Sequence, residues 1–206
     1  MDIKTQLSNV KAAVLAGIAI SIGGMALTKL GSGFGTVLFS VGLIAVFVLG
    51  GKLCTGMFGY VRCGRAALDC LVALLVNSVT AYICGLLYKA CCGEAAAIAA
   101  KLAKPLYHVF LSGTVCGILI YIAVEGWRKT GQLLAVIVPV AAFVGIGAEH
   151  CVADAFFFGA GSGMNFQGLV WWLCSVAGNV VGGLLAGFLK LSPKPAASKE
   201  LESKKG

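Results

Sequence analysis

The sequence predicts an all-α membrane protein: six transmembrane helices in two three-helix halves of opposite orientation. Three observations carry that prediction. The 206 residues are 59% hydrophobic and only 12% charged, with a mean hydropathy of +0.96, whereas an average soluble domain has about 25% charged residues. The charges are spaced so that charge-free runs of spanning length recur between them. The two halves also echo each other at an offset of about 96 residues. Such a composition excludes an ordinary soluble globule, a disordered chain and a nucleic-acid-binding domain, despite a net charge of +8.

The elements follow in order from the runs. Residues 12–28, 30–51, 70–88, 105–124 and 130–148 carry no charge and are 17 to 22 residues long. A transmembrane helix needs about 20 apolar residues, so each run fits one helix. The last run, 155–189, has 35 residues, too many for one helix and too few for two. Gly159-Ala160-Gly161-Ser162-Gly163-Met164-Asn165 interrupts it with flexible, polar residues. The predicted spans are about 10–29, 32–50, 66–88, 105–125, 130–148 and 166–190, with half-helices near 53–61 and 150–158. Residues 1–192 form one transmembrane domain. Residues 193–206 mix Pro, Ser, Lys and Glu and are expected to form a mobile tail.

Orientation follows from Lys and Arg. With six helices, both termini share a side, and that side carries eleven basic residues against four on the other; Lys52 lies within the membrane. Both termini are therefore expected in the cytoplasm, and topology explains the basic excess without an anionic polymer as partner. The start lacks a cleavable signal pattern, since its first apolar run is of spanning length with no A-x-A-like site. None of the nine cysteines forms a C-x-x-C pair. They read as small apolar residues of a packed bundle, and no metal or cofactor is expected.

In the repeat, Leu15-Ala16-Gly17 answers Leu111-Ser112-Gly113, and Leu53-Cys54-Thr55 falls opposite Glu149-His150-Cys151. Asn77 corresponds to Asn179 after some slippage. Three helices per half force opposite orientations, so the halves are expected to be inverted repeats. The 29 glycines, many at small-residue spacings, suit close helix packing. In each half the second helix is interrupted, by Gly50-Gly51-Lys52-Leu53-Cys54-Thr55-Gly56 and by Gly145-Ile146-Gly147-Ala148-Glu149-His150-Cys151-Val152-Ala153-Asp154. Glycines before an ionisable cluster, at matching places, point to discontinuous helices meeting near the midplane. Backbone broken at that depth is tolerated only where it is buried or lines a cavity.

His150 is the sharpest chemical signal. An ionisable group inside a span is costly and tends to be functional, and imidazole titrates near neutral pH. The bland alternative is a neutral histidine that merely holds a helix break together. Thr55, Asn179 and Asn77 are candidates to orient it, although each could be a plain interhelical hydrogen bond. Lys101 and Lys104 precede the fourth helix, where a lysine raises local anion concentration or simply snorkels. Lys52 and Asp154, opposite charges in the two breaks, are a candidate pair. Glu149 adjoins the histidine, and His108 reads as interfacial. Phe39, Leu43 and Phe143 lead into the breaks, as core or as an apolar constriction.

These motifs resemble the formate/nitrite transporter family, pentameric channels for small monovalent anions. Gly147-Ala148-Glu149-His150-Cys151-Val152-Ala153-Asp154-Ala155-Phe156 resembles the family's G-F-E-H-S-[IV]-A-N-M-F. Gly51-Lys52-Leu53-Cys54-Thr55-Gly56 resembles A-[DE]-L-F-T-[GS], and Gly178-Asn179-Val180-Val181-Gly182-Gly183 matches G-N-[IV]-[IV]-G-G. The resemblance covers about 10–190. It implies an aquaporin-like fold, a homopentamer in the lipid bilayer, and one pore per protomer. It places His150 on the central histidine, Thr55 on the threonine of the mobile loop, Asn179 on the sixth-helix asparagine and Lys101 on the vestibule lysine. Phe39, Leu43 and Leu53 fall on cytoplasmic-side constriction positions, and Phe143 on the outer one. The chain departs from the pattern at Cys54, which stands for a bulky aromatic and widens the inner slit. It departs also at Lys52 for an acid, Asp154 for an asparagine and Gly117 for a fourth-helix asparagine.

The expectation is therefore a bacterial inner-membrane channel, not an enzyme, for anions of weak acids such as formate, nitrite or hydrosulfide, with proton exchange at His150. A second reading keeps the fold but passes uncharged solutes such as water or ammonia. A third, a membrane redox subunit, lacks any haem, flavin or metal motif.

Overall fold

The computed structural model describes residues 3–95, 97–161 and 163–189, and within these it is all-helical. The tail expected over 193–206 lies outside the described residues. Ten α-helices follow in order: α1 Ile3–Leu30, α2 Thr36–Leu38, α3 Ser40–Val48, α4 Cys54–Met57, α5 Gly64–Cys92, α6 Ala97–Leu102, α7 Leu106–Thr130, α8 Leu134–Gly145, α9 Cys151–Ala160 and α10 Phe166–Leu189. Four helical stretches are long and apolar enough to cross a membrane: Lys4–Leu38, Gly64–Cys92, Leu106–Thr130 and Phe166–Leu189. The helices α8 and α9 are apolar but shorter.

Apolar residues form both the core and the outer wall. On α5, Leu71, Leu75, Val79 and Ile83 are exposed, while Ala73, Asn77, Ser78 and Ala81 are buried. A helix apolar on its outer face and polar within fits a lipid exterior. The buried polar groups Thr55, Asn77, Glu149, His150, Asp154, Ser175 and Asn179 gather at the centre.

The first two predicted spans are joined by a short helical turn. A π-helical turn, Gly31–Gly35, links α1 to α2, and Gly31 at φ +73° supplies the left-handed residue that reverses the chain. The helix α3 then runs back along α1 at close range: a Cβ on Gly23 would stand 2.6 Å from Phe39 O, and one on Gly42 2.6 Å from Ala19 O. Small residues also let α7 and α10 cross closely, since a Cβ on Gly182 would lie 2.0 Å from Thr114 O. Gly117 packs against this same crossing, where a Cβ would stand only 2.4 Å from Asn179 O. A larger side chain there would require the two helices to move apart.

Candidate functional site

Two interruptions meet at the centre of the protein, and they share a backbone design. In the first, α3 ends at Val48, Gly50 takes φ +72°, and the chain stays extended until α4 starts at Cys54. In the second, α8 ends at Gly145, Gly147 takes φ +69°, and α9 starts at Cys151. Each break leaves backbone N–H and C=O groups without helical partners, which must be satisfied when buried. One asparagine serves each break. Asn77 accepts from Cys54 N at 2.9 Å and donates from Nδ2 to Ala13 O at 2.7 Å and Lys52 O at 3.0 Å. Asn179 accepts from Cys151 N at 2.9 Å and donates from Nδ2 to Gly113 O at 2.9 Å and Glu149 O at 2.7 Å.

These clamps correct the register read from sequence. Cys54 answers Cys151 and Leu53 answers His150, 97 positions on rather than 96, so Leu53 does not face Glu149. Gly17, next to Asn77 O, answers Gly117, next to Asn179 O, rather than Gly113. The offset is 97 at Cys54/Cys151, 100 at Gly17/Gly117 and 102 at Asn77/Asn179, so the flanking helices slip by three to five residues relative to the breaks.

His150 is the residue before α9, buried, with its Nδ1 accepting from Ala153 N at 3.2 Å. A ring nitrogen that accepts a backbone N–H is unprotonated, so in the neutral ring the proton sits on Nε2. From there it reaches Thr55 Oγ1 at 3.0 Å. That contact ties the two breaks together. Contrary to the expectation from sequence, Asn179 does not bond the imidazole; it holds the peptides on either side of it, fixing where the ring stands.

Above the imidazole lies a cavity of about 480 Å³ lined by Phe39, Lys101, Lys104, Phe143, Glu149, His150 and Asp154. Phe143 stacks on the His150 ring at 5.8 Å and meets Phe39 edge-on at 5.8 Å. Phe39 therefore packs with Phe143 in an apolar closure, and not with Leu43 and Leu53, where the resemblance had put it. Leu43 and Leu53 do line the opposite side, a cavity of about 180 Å³ that also holds Lys52. Cys54 is fully buried behind them and lines neither cavity.

Charges are compensated within the larger cavity. Lys101 Nζ contacts Glu149 and donates to Asp154 Oδ1 at 2.7 Å, while Lys104 Nζ reaches the other oxygen of Glu149. Ser175 donates to Asp154 Oδ2 at 2.7 Å. Burial opposes the charged form of Lys101, but the Asp154 and Glu149 carboxylates outweigh it and hold its pKa above the ordinary lysine value. Its ammonium also lies 5.3 Å from the rings of Phe157 and Trp171. The candidate pair Lys52–Asp154 is not formed: Lys52 Nζ donates to Asn9 Oδ1 at 2.7 Å on the other side of the closure.

Sequence reasoning gave Lys104 and Glu149 too little weight and did not single out Ser175. The signal for Ser175 was present, one helical turn before Asn179 and so on the same face of α10. His108 is exposed at the start of α7, away from the cavity. Among the described residues, no group of three His, Cys, Asp or Glu side chains is placed to hold a metal ion.

The profile described as formate/nitrite transporter matches residues 4–191. The fold is also similar to solved structures. One, described as an FNT family ion channel, superposes with a TM-score of 0.79 at 22% identity, over 90% of this chain and 89% of that one. Another, described as a pentameric formate channel with formate bound, gives 0.78 at 23% identity, over 90% and 95%. No curated protein matches the sequence.

Proposed function

The chain belongs to the formate/nitrite transporter family, and from that premise we propose that it is a channel for small monovalent anions of weak acids, with formate, nitrite or hydrosulfide as its substrate. The observation that carries this reading is His150 at the floor of the large cavity, its Nε2 on Thr55 and its ring under Phe143. An unpaired ion crosses an apolar closure such as Phe39/Phe143 only at great cost, because burying a bare charge is so unfavourable. An anion that takes the Nε2–H from Thr55 is partly neutralised there. Full proton transfer requires a second proton on the ring at Nδ1, and hence release of Ala153 N–H.

We read α3–α4 and α8–α9 as the interrupted second and fifth of six crossings, and the two asparagine clamps support inverted repeats related in the membrane plane. The matched solved channel is described as a pentamer, and we extend that to this chain as a homopentamer with one pore per protomer. Both termini are assigned to the cytoplasm of a bacterial inner membrane from the Lys/Arg bias.

Uptake of formate, nitrite and hydrosulfide into proteoliposomes, each at several external pH values and against a neutral solute, tests the function. Anion flux should rise as pH falls, and His150→Ala should abolish that rise. Passage of the neutral solute alone would replace this reading with a pore for uncharged solutes.

A further inference from the structure

The two cavities differ in what holds their cations. In the larger one, two lysines, Lys101 and Lys104, face two carboxylates, Glu149 and Asp154, so the formal charges cancel. In the smaller one, Lys52 is the charged lining residue, next to Leu43, Leu53 and Met57. Its side-chain partner is the neutral amide of Asn9, which orients the ammonium without neutralising it. Lys52 also lines two neighbouring recesses: Asp69 and Arg128 are the other charged residues of one, and Asp69 is that of the recess it shares with Asn9. Among the described residues no carboxylate stands within ion-pair distance of the Lys52 ammonium, so its charge is not directly paired. Lys52 also occupies the position matching Glu149 of the other break. The sign of the charge is reversed between two equivalent places.

We propose that Lys52 is the cation that draws the anion into the pore from the face where α1 begins, while Lys101 is held by its two carboxylates and serves mainly to fix the second break. This inference rests on the anion-channel reading. A cation with only a neutral partner raises the local concentration of anions at its mouth, whereas a compensated quartet presents little net field. A unit charge about 4 Å from the anion in a wet mouth is worth about a fivefold change in occupancy.

Formate flux in proteoliposomes of fixed protein orientation tests it, with half-saturation measured from each side. Lys52→Gln should raise the half-saturating concentration about fivefold from the α1-start side and leave the other side unchanged; added salt should shrink the difference. Lys52→Arg should restore it. Asn9→Ala removes the tie but keeps the charge, and should keep the wild-type value. That variant separates recruitment from a merely structural lysine and remains informative should Lys52→Gln fold poorly. Equal shifts from both sides, no shift at all, or a loss in Asn9→Ala matching that in Lys52→Gln would overturn the proposal. A wild-type protein that carries no anion would overturn the channel reading itself and this inference with it.

Discussion

The two helix breaks share a backbone and differ in chemistry. Both have a glycine at positive φ, an extended stretch of residues and a short helix whose first N–H is bound by an asparagine. At matching places the first break has Lys52, Leu53 and Cys54, and the second has Glu149, His150 and Cys151. Backbone geometry is thus kept between the halves while charge is inverted and the central side chain changes from apolar to imidazole. Satisfying interrupted backbone inside a membrane has few solutions, so both halves use the same one. Side chains facing a cavity are under no such constraint. The second break carries the imidazole, and the first contributes Thr55 and apolar side chains.

Removing Lys101 should break this comparison hardest. Lys101→Met leaves Glu149 and Asp154 buried together with only Lys104 as cation, and should cost about 3–5 kcal/mol, read as a lowered thermal midpoint in detergent. Lys52→Met, at the other break, should cost about 1 kcal/mol or less, because its partner is neutral and it is partly solvated. The folded-state pKa of Lys101 is raised, so its contribution is complete below the unfolded lysine value of about 10.4 and fades only as pH climbs through the higher folded value. The midpoint should therefore not fall on its account between about pH 6 and pH 9.

Next come the clamps. Asn179→Ala and Asn77→Ala each leave one N–H and two C=O groups short of a partner, and each should cost about 3 kcal/mol. Equal losses are expected from calorimetry or thermal unfolding. A much smaller loss for Asn77 would show that the first break depends less on its clamp, and the likeness of the halves would then be one of geometry alone. Thr55→Val removes the contact between the breaks and should cost about 1 kcal/mol. It should also alter the pH profile of anion flux, since it frees Nε2 of His150.

The smallest effect sharpens the contrast of charge. Asp154→Asn keeps an oxygen for Lys101 and a polar partner for Ser175, so stability should change little. It leaves the larger cavity with a net positive charge, and the half-saturating anion concentration from that side should fall about fivefold.

Much of this was legible in the chain. Charge-free runs marked the apolar stretches of the long helices, because an ion in lipid is costly, although α1, α5 and α7 extend past them over Lys4, Arg65 and Arg128. The glycines and ionisable residues at 50–56 and 145–154 located the breaks, and His150 and Thr55 were singled out before their 3.0 Å contact was seen. Partner choice was not legible. Lys52 and Asp154 carry opposite charges in facing breaks, yet lie on opposite sides of the Phe39/Phe143 closure, and no one-dimensional pattern records a closure. Asn179 was assigned to the histidine, but it serves the peptides beside it, since an amide with both donor and acceptor matches a broken backbone better than it matches a ring.

The sequence by itself determined that this is a multi-pass membrane protein and where its apolar stretches and glycine interruptions lie, since hydropathy and glycine act locally along the chain. Tertiary structure alone decided which lysine is neutralised by carboxylates and which keeps its charge. Ion pairs form across distances that helix packing sets, at close crossings such as Gly182 on Thr114, and small slips between the halves decide which charges can meet.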